Sequence, residues 1–210
     1  MSKTNFTYVA ILIDRSGSMN TIKDDIMGGL KTFASEQRKV DGEIKVSLFD
    51  FDIKFQTIGE NENLDLLERY VLVPRGNTAL HDAIGRSVAR VGEILAGMQE
   101  DERPEKVIFM IVTDGQENAS TEYNSLQVSD IIKHQKEKYN WDFLYLGANQ
   151  DAVEVANSIG ISKKKSITYK AGGQGVNSVF RSFTGYVSAS RADAVMDMAF
   201  SEEDRKNAVK

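Results

Sequence analysis

The sequence predicts an α/β fold: a doubly wound, mostly parallel sheet with helices on both faces and one antiparallel edge strand. Three observations lead there. Two continuous apolar runs, residues 8–13 and 107–112, each end at an aspartate-bearing loop, and runs without alternation suit strands buried on both faces. Apolar residues at helical spacing fill the stretches between such runs. Finally, residues 44–49 and 53–56 alternate apolar with polar and are joined too closely for a crossover, so they must pair antiparallel.

The elements follow in order. After the first run come a loop at 14–18 and a helix striped by Ile22, Ile26, Leu30 and Phe33. The alternating pair is next, with Asp50, Phe51 and Asp52 expected in its turn. Residues 59–77 read as loop, with a short helix or strand around 64–72. Pro74, Gly76 and Asn77 break the chain before a second helix, which carries Leu80, Ile84, Val88, Val91 and Leu95 inward and closes near Gly97 and Pro104. Beyond the 107–112 strand, a third helix is expected at 125–138 with Val128, Ile131 and Ile132 inward. A strand at 143–146, a short helix to Ile159, a strand at 165–170 and a helix carrying Val176, Val179, Phe180, Phe183 and Val187 complete the series. Strands alternating with helices imply right-handed crossovers and a covered sheet. The simplest organisation is one domain over 1–200 and a charged, frayed tail at 201–210.

Composition narrows the chemistry. A chain of 210 residues buries roughly 70% of its unfolded surface without staples. It has no cysteine, which excludes disulfides, thiolate zinc sites, iron–sulfur clusters and a cysteine nucleophile. Any metal must therefore be held by oxygen or by the two histidines, His81 and His134. The net charge of −5, with scattered Lys and Arg, argues against nucleic acid as a partner. The apolar run at 9–13 is too short for a membrane span or a signal segment, so no membrane partner and a cytoplasmic location are expected.

In open α/β sheets, ligands bind outside the carboxyl ends of the strands, where the strand order reverses. Two of the buried runs end there in Asp14-Arg15-Ser16-Gly17-Ser18 and Thr113-Asp114-Gly115, and Gly76-Asn77-Thr78 precedes the second helix. Asp14, Ser16 and Ser18 recur at every second residue, so an extended loop points all three one way. Gly17 between the serines suits a positive φ or a close backbone approach. With Thr78 and Asp114 they offer two carboxylates and three hydroxyls. Hard divalent cations take oxygen ligands, Mg²⁺ in an octahedron at about 2.0–2.1 Å that often keeps several waters.

Each residue also has a bland explanation. Ser18 and Thr78 are good helix N-caps, worth ~1 kcal/mol each, and Asp114-Gly115 is an ordinary turn dipeptide. Their joint placement at the right ends of the right elements favours a site. Glu117 and Asn118 suit either its rim or a solvated loop. Asp50 and Asp52 suit a turn better than a second cation site; Asn149 and Asp151 could reach the ligand surface, but a cap of the following helix by Asn149 explains them more simply. The glycine-rich 172–175 stretch lacks the lysine and spacing of a phosphate loop.

This pattern, Asp-x-Ser-x-Ser after the first strand, a later Thr and an Asp after the fourth strand, resembles the metal-ion-dependent adhesion site of von Willebrand factor A-type (vWA) domains. The resemblance covers about residues 5–160, and the run from Arg75 to Gly85 is similar to that of bacterial and phage cytosolic members. It implies that Ser16, Ser18 and Thr78 contact the metal and that Asp14 and Asp114 act mostly through bound water. It leaves one position for an acidic side chain of a protein partner. The expected cofactor is Mg²⁺, with Mn²⁺ or Ca²⁺ as alternatives, and the expected role is a binding module rather than an enzyme. A Mg²⁺-dependent phosphohydrolase using Asp14 as nucleophile is the competing reading; against it, Ser16 stands where such phosphatases carry a second carboxylate. A structural or assembly protein with a vestigial metal site is the third.

Overall fold

A computed structural model describes residues 3–148, 152–192 and 198–210 of the chain. Strands β1 (Lys3–Asp14), β2 (Glu43–Phe51), β3 (Phe55–Glu62), β4 (Pro104–Thr113), β5 (Asp142–Ala148) and β6 (Ser166–Tyr169) form one sheet. The helices are α1 (Lys23–Gln37), α2 (Asp65–Arg69), α3 (Leu80–Ala96), α4 (Ser125–Tyr139), α5 (Ala152–Ser158), α6 (Gly173–Arg191) and α7 (Glu202–Ala208). The strand order is β3-β2-β1-β4-β5-β6, with β2–β3 the antiparallel pair and the other neighbours parallel. The sequence thus predicts this fold class correctly.

The unbroken apolar run in β1 reflects burial on both sides. Val9, Ile11 and Ile13 enter one core with Ile26, Leu30 and Phe33 of α1 and Phe180 and Phe183 of α6. Tyr8, Ala10 and Leu12 enter the opposite core with Leu80, Ile84 and Val88 of α3 and Val128 and Ile132 of α4. The predicted stripes are therefore the packed faces, with Ile131 only partly buried at the margin. Close packing of α1 on α6 depends on Gly29, where an added Cβ would lie 2.5 Å from the Phe180 ring.

Both β2 and β4 flank β1. The loop after β1 leads to α1 on one face, and the loop after β4 leads to α4 on the other. Diverging loops leave a crevice at the carboxyl ends of these two strands, the place where open α/β sheets take ligands.

Two local expectations need correction, and the one for residues 64–72 is made specific. Strand β2 runs through Phe51, so the turn is residues 52–54, and Ile53, expected in a strand, is 59% exposed at its tip. The 64–72 segment divides into α2 and an extended stretch in which Tyr70 and Leu72 are buried while Val71 and Val73 face out. The expected frayed tail contains α7, which starts with a capping box between Ser201 and Asp204. Its Ala208 is buried and accepts a hydrogen bond from the Lys170 N–H (2.9 Å), and Arg205 donates to the carbonyls of Ser166 and Lys163 (2.6 Å each). Among the described residues, no helix is long and apolar enough to cross a membrane.

Candidate metal centre

The first loop is built around Asp14, the fully buried last residue of β1. One carboxylate oxygen, Oδ1, accepts the Ser16 N–H (2.6 Å), which turns the chain sharply after the strand. The other, Oδ2, accepts the hydroxyl of Thr113 (2.7 Å) at the end of β4. The turn brings Ser16 Oγ to 3.0 Å from Ser18 Oγ, and Ser18 donates to Asp114 Oδ1 (2.6 Å). Asp14, Ser16, Ser18, Thr113 and Asp114 thus form a continuous hydrogen-bonded arc.

The loop before α3 closes the arc. Here the glycine with a left-handed backbone is Gly76 (φ +68°), whereas Gly17 contributes by close approach, its N–H donating to the Gly76 carbonyl (3.1 Å). Thr78 is fixed on both sides by Asn118: its N–H donates to Asn118 Oδ1 (3.1 Å), and its carbonyl accepts the Asn118 N–H (3.0 Å). Neither Ser18 nor Thr78 serves as a helix cap. The residue preceding α1 is Ile22 and that preceding α3 is Ala79, and neither helix has a side-chain cap there.

Gly115 shows how closely the loops converge. A methyl group placed on it would sit 2.9 Å from Thr78 Oγ1, 3.5 Å from Asp14 Oδ2 and 3.6 Å from Ser16 Oγ. Oxygens from three residues thus surround one small space. Burial pushes the Asp14 carboxyl up to about 6, with the like charge of Asp114 adding to the rise and hydrogen bonds from Thr113 and Ser16 opposing it. Burial also raises Asp114, against the hydrogen bond from Ser18. Among the described residues no Lys, Arg or His forms an ion pair with either carboxyl, the nearby Arg15, Arg75 and His81 pairing instead with Asp50, Asp52 and Glu117. Among the described residues no group of three His, Asp or Glu side chains gathers, here or elsewhere, so any ion at this site depends on the hydroxyls as much as on the two carboxyls. One buried and one half-buried carboxyl, with no basic side chain paired to either and three hydroxyls beside them, fit a small hard cation by donor type and by charge.

Several supporting residues were not legible as such. Arg15, buried at 5% exposure, turns away from the site and lies 3.3 Å from Asp50 and from Asp52, while donating to Gln56 Oε1 (2.5 Å). Asp52 also accepts from Arg75 Nε (2.8 Å) and, through its carbonyl, from the Ala79 N–H (3.0 Å). Asp52 therefore ties the β2–β3 turn to the loop carrying Thr78, while Asp50 holds Arg15 from within β2. Glu117 is an anchor, accepting the N–H groups of His81 (2.9 Å), Ala119 (2.9 Å) and Ser120 (2.7 Å). Asp82 of α3 answers it by accepting the N–H groups of Thr121, Glu122 and Tyr123 at 2.8–2.9 Å. Asn149 and Asp151 lie outside the described residues. His134 is exposed on α4, and His81 Nδ1 lies 3.8 Å from Glu117.

No family model matches the sequence, and no curated protein matches it. Solved structures do match by shape. Proximal thread matrix protein 1 from the mussel byssus, in a structure described as having a zinc-occupied MIDAS motif, superposes with a TM-score of 0.61 at 13% identity, over 87% of this chain and 46% of that one. A von Willebrand factor type A protein from Catenulispora acidiphila gives 0.59 at 15% identity, over 87% and 43%. The vWF domain of the type V pilus tip protein from Porphyromonas gingivalis gives 0.62 at 9% identity, over 88% and 95%. The chain spans about half the length of the mussel protein. At such identities the likeness speaks to architecture, and the chain has the fold of a von Willebrand factor A-type domain.

Proposed function

We propose that the protein is a divalent-metal-dependent protein-binding module and not an enzyme. In this reading Asp14, Ser16, Ser18, Thr78 and Asp114 hold Mg²⁺, or Mn²⁺ or Ca²⁺ in its place, and an Asp or Glu of a partner completes the coordination. The observation that carries it is the convergence of Thr78 Oγ1, Asp14 Oδ2 and Ser16 Oγ on the space beside Gly115, next to two carboxyls to which, among the described residues, no basic side chain is paired. When bound, the ion supplies positive charge that attracts a carboxylate. The chain's own residues do the rest: the Ser16 N–H and the Thr113 hydroxyl orient Asp14, and Asn118 fixes the height of Thr78. A set richer in hydroxyls than in carboxylates leaves the charge under-neutralised, which suits capture of an acidic group.

The arrangement offers little to a hydrolase. Both oxygens of Asp14 are engaged, and no histidine stands against a serine of the site to act as its base. A cytoplasmic setting in a bacterial or phage context belongs to the same proposal and rests only on the likeness of the run from Arg75 to Gly85. The test is recovery of partners from a bacterial lysate on immobilised protein, with Mg²⁺ or with EDTA. Metal-dependent recovery is expected for the wild type and is lost in Asp14→Ala and Thr78→Ala. Recovery indifferent to EDTA and to both substitutions would sink the mechanism.

A further inference from the structure

One buried polar group takes no part in the contacts above. Tyr169, the last residue of β6, is 0% exposed, and among the described residues its hydroxyl has no hydrogen-bond partner. A buried hydroxyl without a partner is costly and rare, so it calls for one that the described residues do not provide.

The sheet register indicates where that partner lies. Tyr169 stands beside Ala148 of β5, and the preceding Gly147 stands beside Thr113 of β4. Tyr169 and Ala148 therefore stand one position beyond the Thr113–Gly147 pair at the carboxyl edge, where Asp114 follows β4 two strand spacings away, each about 5 Å. Tyr169 and Ala148 face the same core as Val112, and Asp114 leaves the end of β4 directly at that edge. Ala148 is small, so a tyrosine ring on β6 can extend over it towards β4. Consistently, burial above all, and then the charges of Asp114 and Asp14, push the phenol's pKa well above its ordinary value. The hydroxyl stays protonated, as a donor.

We propose that Tyr169 is a positioning residue of the metal centre, donating a hydrogen bond to a water held against Asp114. The water links the phenol to a carboxylate whose Oδ1 already receives Ser18, and so fixes the carboxylate plane relative to the ion. This inference rests on the metal-binding reading above. Outer contacts of this kind typically alter metal affinity about 10–100-fold.

The experiment is a calorimetric titration of Mn²⁺ into EDTA-stripped, dialysed full-length protein, wild type and Tyr169→Phe, with thermal melts of both proteins metal-free. Phenylalanine keeps the ring and deletes only the hydroxyl. The expected result is Mn²⁺ binding at least about tenfold weaker in the variant, with a metal-free melting temperature equal to or above that of the wild type. A near-ultraviolet tyrosine difference signal on metal addition, present in the wild type and reduced in the variant, would support the same contact. Ordinary wild-type binding with unchanged affinity in Tyr169→Phe overturns this inference alone. A variant that binds weakly but is also less stable without metal assigns Tyr169 to packing and overturns it too. No saturable binding by the wild type overturns the metal reading, and this inference with it.

Discussion

Replacing Gly115 by alanine should separate the metal centre from the fold. The added Cβ would stand 2.9 Å from Thr78 Oγ1, where carbon–oxygen contacts ordinarily settle at about 3.3–3.6 Å. Thr78 must then retreat by about 0.5 Å, more than the roughly 0.2 Å that metal–ligand distances tolerate. It has little freedom to adapt, being 2% exposed, β-branched and tied to Asn118 through both main-chain groups. Losing Thr78 should weaken metal binding by about a hundredfold, on the scale of ligand-shell substitutions. At a metal concentration of about 100 times the wild-type Kd, the wild type gains about 2.7 kcal/mol, and the variant only about 0.4 kcal/mol. For a chain of this size those gains are about 5–10 °C against about 1 °C in melting temperature. The metal-free variant should stay within about 1 kcal/mol of the wild type, because Gly115 does not need the left-handed region and alanine restricts the unfolded chain. Thermal melts with Mg²⁺ and with EDTA read both quantities. An equal metal-induced shift in the two proteins would refute the convergence of oxygens on Gly115.

Two further outcomes follow from the buried acids. In the metal-free protein the Asp14 carboxyl, at about 6 against an ordinary 3.8, binds its proton more tightly folded than unfolded. Its contribution to stability is therefore greatest below about pH 4 and is lost as pH rises through about 6, by on the order of 3 kcal/mol at most. Denaturation of EDTA-treated protein across that range should show the slope, Asp14→Asn should flatten it, and metal affinity should fall as pH drops below 6. Asp82 has the opposite sign: burial would raise it, but the N–H groups of Thr121, Tyr123 and Glu122 outweigh burial and hold it low. Its stabilisation is present above the ordinary carboxylate value and is lost as pH falls through its lowered one. Asp82→Ala should cost about 2–3 kcal/mol in urea denaturation at neutral pH, and a loss under about 0.5 kcal/mol would show that the loop does not need this anchor.

What the sequence revealed was mostly local. The runs in β1 and β4 and the stripes of α1, α3 and α6 are legible because a strand buried on two faces and a helix buried on one leave different periods. Asp14, Ser16, Ser18, Thr78 and Asp114 stand out because each follows a strand or precedes a helix on the same side of the sheet. Pairings between distant elements left no such trace. Nothing local announces that Arg15 draws Asp50 and Asp52 inward, or that Asp82 answers a loop about 40 residues later. Tyr169 needs the strand order before it can be placed opposite Asp114. The helix at 202–208 is a different case: Ser201 followed three residues later by Asp204 is a readable capping signal, masked by the dense charge of the segment.

That terminal helix has a consequence for how the molecule meets its own copies. β6 is an outermost strand, and exposed strand flanks invite pairing with a second chain, a risk that its length of only four residues already reduces. Arg205 occupies the Ser166 carbonyl, and Ala208 takes the Lys170 N–H just beyond the strand. At the opposite flank, β3 is irregular in register and bears Glu60 and Glu62 in ion pairs with Arg90 and Arg69. Shortening the chain to end before Glu202 would therefore not trim a dispensable appendage. It would unmask polymerisation-competent backbone on one side of the sheet, and a shortened protein would be the stickier of the two.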